Sequence, residues 1–140
     1  MALALQAVGF WNLEGISIAD SEEWRRHSVP VAHADSWDLE QLADALRDHS
    51  VDLVDVREPS EWVAGHIPGS HHVPLHRLRD VGSIVLPQDG RTTAVACAAG
   101  IRAAFAASLL RRAGRTDVVR VAGGGVGDLG AMGLELALGA

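Results

Sequence analysis

Lysine is missing altogether, so all 12 basic side chains are arginines. Every cation apart from histidine is therefore a permanent guanidinium. Cysteine occurs once in 140 residues, which excludes an intramolecular disulfide and a cysteine-rich zinc site. Positive charge is in deficit: 18 acidic side chains leave a net charge of −6. That argues against a nucleic-acid partner, which needs clustered cations. No stretch reaches the ~20 consecutive apolar residues of a membrane span. The apolar opening Met1–Phe10 lacks the basic flank of a signal peptide, and residues 11–20 offer no convincing cleavage site. These absences lead to the expectation of a soluble protein in a reducing, cytoplasmic setting, with neither membrane nor nucleic acid as partner.

What is present suits one folded domain. The chain is 48% hydrophobic and 21% charged, the composition of a globular protein with a core rather than of a disordered chain. Apolar residues at helical spacing (Leu39, Leu42, Ala43, Leu46) predict a helix over 38–46, capped by Ser36 or Asp38. The β-branched run 51–56 predicts a strand. Pro59 suits a first helical turn, giving a short helix over 58–64 closed by Gly65. Strands are predicted at 71–73, 92–96 and 118–121. Between the last two lies a helix over 101–113, with Ile101, Phe105, Leu109 and Ala113 on one side. A weak final helix runs over 126–132. Strand–helix alternation with short joins implies an α/β fold with a parallel sheet covered on both faces, and such sheets place ligands at the carboxyl ends of their strands.

Cys97 falls at that address. It ends the strand 92–96, and Ala98, Ala99, Gly100, Ile101 and Arg102 lead into the next helix. The first N–H groups of a helix have no internal acceptor, and with the dipole they favour an anion, here a thiolate or a transferred oxyanion or sulfur. Gly100 lets the backbone turn. Arg102 adds a fixed charge or clamps the loop through bidentate hydrogen bonds. A lone cysteine in an apolar run also fits a small buried hydrophobe, but its placement with Gly100 and Arg102 favours a site.

Cys97-Ala-Ala-Gly100-Ile-Arg102 resembles the Cys-x-x-Gly-x-Arg active loop of the rhodanese family. Asp55-Val-Arg57, Glu61-Trp62 and Gly65-His66-Ile67-Pro68-Gly69 are similar to that family's Asp-x-Arg … Gly-His-Ile-Pro-Gly signature, and residues 109–124 resemble its helix-Gly-strand-Gly-Gly ending. The resemblance implies a three-layer rhodanese-like fold with a mainly parallel five-stranded sheet. It implies a sulfurtransferase in which Cys97 takes sulfane sulfur as a persulfide and passes it to a thiophilic acceptor such as cyanide, a thiol or a protein. The loop would cradle the persulfide, and Asp55, Arg57 and His66 would support it rather than react. An Arg57–Glu61 pair would be a surface ion pair of little worth. Related cell-cycle phosphatases use a loop one residue longer than the six from Cys97 to Arg102, so the shorter loop points to sulfur. A Cys-based phosphatase or arsenate reductase is the weaker alternative, and a partner-binding module with little catalysis is another. Ala98, Ala99 and Ile101 bring neither charge nor hydroxyl, which suits a low-molecular-weight persulfide, polysulfide or protein partner better than thiosulfate.

The remaining features take plainer readings. His66, His71, His72 and His76 are loosely spaced and interrupted by Pro68 and Pro74, so neither a metal nor a cofactor is expected. Trp62 reads as core, and Trp11, Trp24 and Trp37 as docking points for an N-terminal extension. Gly123, Gly124, Gly125 and Gly127 suggest a flexible rim. The run Leu5–Gly15 repeats the order of residues 110–134 weakly. The domain expectation is therefore residues 1–32 as an extension, or the remnant of a preceding rhodanese-like repeat, and residues 33–140 as the rhodanese-like domain. By the same resemblance the chain is a piece of a tandem protein or of a fusion with a metallo-β-lactamase-like domain.

Overall fold

Short β-branched runs separated by helices give the second half of the chain its sheet. In the computed structural model the described residues are 21–28, 35–78, 86 and 90–139. The chain divides into two compact units, 1–33 and 34–140. In the first, Ser21–Arg26 forms a helix (α1) with acidic residues in its first turn and Arg25 and Arg26 in its last, signs that complement the helix dipole. Trp24 on it is 40% exposed. The expectations for Leu5–Gly15 and Trp11 lie outside the described residues.

In the second unit, β1 (Ser36–Trp37), β2 (Val51–Asp55), β3 (His71–His72), β4 (Thr92–Ala96) and β5 (Val118–Val121) form one sheet in the order β1-β5-β4-β2-β3. Every pair is parallel, with Asp55 beside both Ala96 and His72, Val95 beside Arg120, and Trp37 beside Val121. The expected five-stranded parallel sheet is therefore present. Its two-residue β1 was not foreseen, because two residues carry no periodicity. Parallel pairing brings the carboxyl ends of all five strands to one edge, and Cys97 stands at the end of the central β4.

The helices are α2 (Leu39–Arg47), α3 (Pro59–Val63), α4 (Ile101–Arg112) and α5 (Val126–Leu129). Asp38 caps α2: its Oδ1 accepts from Gln41 N at 2.8 Å while Gln41 Oε1 accepts from Asp38 N at 3.0 Å, a reciprocal capping box. Leu42 and Ala43 of α2 join Leu53, Ala94, Val121, Val126 and Leu129 in one core layer, and Trp37 packs against it. The other layer joins Val54, Val56, Val95 and Cys97 to α4. The buried stripe of α4 is Ala103, Ala106, Ala107 and Leu110, not the one foreseen: Ile101 is 69% exposed and Ala113 is exposed. Both stripes are apolar, and the one made of methyls faces the sheet because α4 starts four residues after β4 and has little room to stand off. Helix α5 ends at Leu129 and continues to Gly133 as turns. No helix among the described residues is long and apolar enough to cross a membrane.

Candidate active site

The loop from Cys97 to Arg102 is built from the backbone. Gly100 N donates to Cys97 Sγ at 3.0 Å, folding the loop back over its own sulfur. This turn needs φ = +87° at Gly100, where an added Cβ would also lie 3.2 Å from Val121 O. The backbone conformation and the close approach together select glycine. Helix α4 begins at Ile101, so its free N–H groups face the loop. Cys97 is 2% exposed, whereas Ala98 and Ala99, which form the outer rim, are exposed.

The loop is held from the β5 side as well. Val126 N donates to Cys97 O at 3.0 Å. A Cβ on Gly125 would collide with the carbonyl oxygens of Cys97 and Ala98, and one on Gly124 with Leu39 Cδ1. These glycines, read from sequence as a flexible rim, are small because two backbones and a leucine press against them.

From the opposite side comes Glu61 of α3. Its carboxylate takes both terminal nitrogens of Arg102, at 2.6 and 2.8 Å, and its Oε2 also accepts from Glu58 N at 3.0 Å. The hydrogen bond from Arg102 is the main reason the Glu61 carboxyl falls from 4.5 to about 2; partial burial opposes this, and the Glu58 N–H adds to it. Arg102 is pushed up, first by Glu61 and, against the cost of burial, also by negative charge on Cys97. Arg102 thus clamps the loop, and most of its charge is answered by Glu61 before any substrate arrives. Sequence reasoning missed Glu61 as a partner of the loop, since 41 residues separate it from Arg102.

The anticipated surface pair between Arg57 and Glu61 is not formed. Arg57 is 6% exposed and Asp55 fully buried. A buried guanidinium needs a carboxylate beside it, and Asp55, two residues back on β2, supplies one: Arg57 Nη2 lies 2.6 Å from Asp55 Oδ2 and Nε 3.0 and 2.9 Å from the two oxygens. Arg57 Nη2 also donates to Gly65 O at 2.7 Å, tying the end of β2 to the turn before His66. The His66 ring stacks on Trp62 at 3.8 Å, and its backbone pairs with Ala137 through two hydrogen bonds of 2.9 and 2.8 Å. Trp62 is half-buried rather than core, because it stacks on His72 as well, at 4.6 Å. His72 Nε2 lies 3.0 Å from Arg57 O, and His76 lies 3.9 Å from Glu58 at the surface. Among the described residues no group of three or more His, Cys, Asp or Glu side chains is arranged to hold a metal ion. Asp55 and Arg57 are thus joined to each other and, through Gly65 O, to the turn that leads into His66; among the described residues none of the three side chains hydrogen-bonds Cys97.

Known proteins resemble this chain in sequence and fold. Residues 38–128 match the description "Rhodanese-like domain". A probable adenylyltransferase/sulfurtransferase, MoeZ, of Mycobacterium tuberculosis is 40% identical over 73 residues, 51% of this chain but 18% of that protein. The chain therefore spans under a fifth of that relative's length. The thiosulfate sulfurtransferase GlpE of Pseudomonas aeruginosa is 32% identical over 84 residues, covering 60% of this chain and 74% of the relative. The crystal structure of a rhodanese-related protein from Thermoplasma volcanium superposes with a TM-score of 0.63 at 32% identity, over 74% of this chain and 98% of that one. The family match spans β2 to β5, the Asp55–Arg57 pair and the whole Cys97 loop, and this chain belongs to the rhodanese-like domain family.

Proposed function

We propose that this domain is a sulfurtransferase that carries sulfane sulfur on Cys97. The observation that supports it best is the Gly100 N–H on Cys97 Sγ at 3.0 Å, in a loop that leads directly into the first turn of α4. Cys97 thiolate attacks the sulfane sulfur of a donor R–S–S⁻. The S–S bond breaks, its electron pair leaves on RS⁻, and Cys97 becomes Cys–S–S⁻. A thiophilic acceptor then attacks the outer sulfur and restores the thiolate; with cyanide the product is thiocyanate. Electrons and atoms balance without a cofactor. Ala98, Ala99, Gly100 and Ile101 form the cradle, and the helix-start N–H groups hold the terminal sulfur. Asp55, Arg57 and His66 brace the α3 end that carries Glu61.

The rim favours a small organic persulfide over thiosulfate. A dianion meets three apolar side chains and an arginine already paired with Glu61. The relatives named sulfurtransferase support the reaction class. In this reading residues 33–140 are the carrier and residues 1–32 an extension; that the match covers only 18% of MoeZ supports a carrier that serves beside other domains.

The test is intact mass after exposure to glutathione persulfide or thiosulfate, then cyanide. The expected result is one added sulfur, lost to cyanide as thiocyanate, absent in Cys97→Ser, and faster from the organic donor. No adduct from either donor would leave a partner-binding module instead.

A further inference from the structure

Arginines in this protein are almost always spoken for once they leave the surface. Arg57 is held by Asp55 and Gly65 O, Arg102 by Glu61, Arg111 by Val118 O and Asp35, and Arg115 by Asp117 and Thr93. Arg120 is the exception. It is half-buried on β5, and among the described residues its guanidinium has no hydrogen bond or ion pair. A guanidinium partly withdrawn from water without an acceptor is costly unless something else supplies one.

The surroundings of Arg120 indicate what that is. It lines a shallow pocket of about 310 Å³ together with Ala99, Gly100, Ile101, Ala104 and Phe105. Three of these, Ala99, Gly100 and Ile101, belong to the nucleophile's loop, and Gly100 is the residue whose N–H holds Cys97 Sγ. Ile101 is the most exposed large hydrophobic residue on that rim, at 69%. The pocket thus offers an apolar wall from the first two turns of α4 and one bidentate donor that has no partner among the described residues. Arg102 is the less available cation, because Glu61 already pairs with it through both terminal nitrogens.

We propose that Arg120 and this pocket form a subsite for the carboxylate-bearing body of a small organic persulfide, next to the sulfur cradle. This rests on the sulfur-transfer reading for the identity of the donor. The carboxylate lies against the guanidinium fork, the aliphatic part covers Ile101 and Phe105, and the sulfur end is directed to the loop. Specificity comes from the pairing of one carboxylate with one apolar segment, which thiosulfate lacks.

The test uses ligands that cannot transfer sulfur, so its outcome is separate from that of the reaction. Binding of S-methylglutathione and of its diamide is measured by calorimetry and by amide NMR shifts, on the full chain and on Cys97→Ser, Arg120→Gln and Ala104→Leu. The expected result is binding of S-methylglutathione to wild type and Cys97→Ser, with shifts at Ala104, Arg120 and Gly123. Affinity falls about tenfold or more in Arg120→Gln, the usual scale for a charge-assisted pair. Ala104→Leu, which fills the apolar wall and leaves Arg120 in place, also weakens it, and the diamide binds wild type no better than Arg120→Gln does. Equal affinity in wild type and Arg120→Gln overturns the proposal. So does an absence of binding, or inorganic sulfate binding as tightly as S-methylglutathione, which would mark an unselective anion patch. Sulfur uptake by Cys97 with any of these failures would leave the reaction standing without the subsite.

Discussion

Replacing Glu61 by glutamine keeps the shape of the side chain and removes the charge that Arg102 holds. Lowering a carboxyl from 4.5 to about 2 corresponds to roughly 3 kcal/mol if nothing screens it. The Arg102 and Glu61 side chains are 25% and 33% exposed, so water takes much of that, and about 1 kcal/mol is the expected loss at neutral pH. The sign follows from the depressed folded-state value. The stabilisation is complete above the unfolded carboxyl's 4.5 and is lost as pH falls through about 2. Urea denaturation of wild type and Glu61→Gln should therefore differ at pH 7 and converge on approach to pH 2. A second readout separates this pair from a merely structural one. With its carboxylate partner gone, Arg102 presents an uncompensated cation, so the rate of Cys97 sulfur uptake from dianionic thiosulfate should rise relative to the rate from a singly charged organic persulfide. Equal stability at pH 7, or a difference that does not shrink in acid, would refute the account of the pair. An unchanged donor ratio would refute the claim that Glu61 masks Arg102.

Other perturbations act on the frame of the loop. Gly100→Ala places a Cβ at φ = +87° and 3.2 Å from Val121 O; about 1–2 kcal/mol of strain and a severe loss of sulfur uptake should appear together, read by thermal melting and intact mass. Gly125→Ala drives a methyl into the carbonyls of Cys97 and Ala98, and should abolish uptake while far-UV circular dichroism stays native. Asp55→Asn leaves the Arg57 guanidinium buried without its counter-charge. A loss of about 3–5 kcal/mol should lower both the denaturation midpoint and, through the α3 brace, the rate of uptake.

Much of the fold was readable because its signals are local. The Asp38 cap, the strand runs at 51–55, 92–96 and 118–121, and Gly100 at the loop's turn each announce themselves within a few residues. Cys97 was placed by the same logic. Partners were harder. Arg57 has three carboxylates near it in sequence, Asp55, Glu58 and Glu61, and only burial decides between them. Helix α4 has two apolar stripes, and the choice depends on how closely it lies over β4, which no periodicity encodes. Arg120 did leave a trace, as a single charge inside Val118-Val-Arg-Val, but a strand charge reads equally as a solvated edge until its neighbours are known.

The loop around Cys97 is gripped at three points: the Val126 N–H on the Cys97 carbonyl, Gly125 against the carbonyls of Cys97 and Ala98, and Glu61 on Arg102. Such a loop cannot be lengthened alone. One extra residue, the change that distinguishes the wider phosphate cradle from this one, would have to move either the Gly125 strand exit or the Glu61 helix to find space. Conversion to phosphate chemistry therefore lies at least two coordinated changes away, and each change taken singly breaks a contact that the present loop needs to keep its shape. The narrowness of the chemistry is a property of the walls around the loop as much as of the six residues within it.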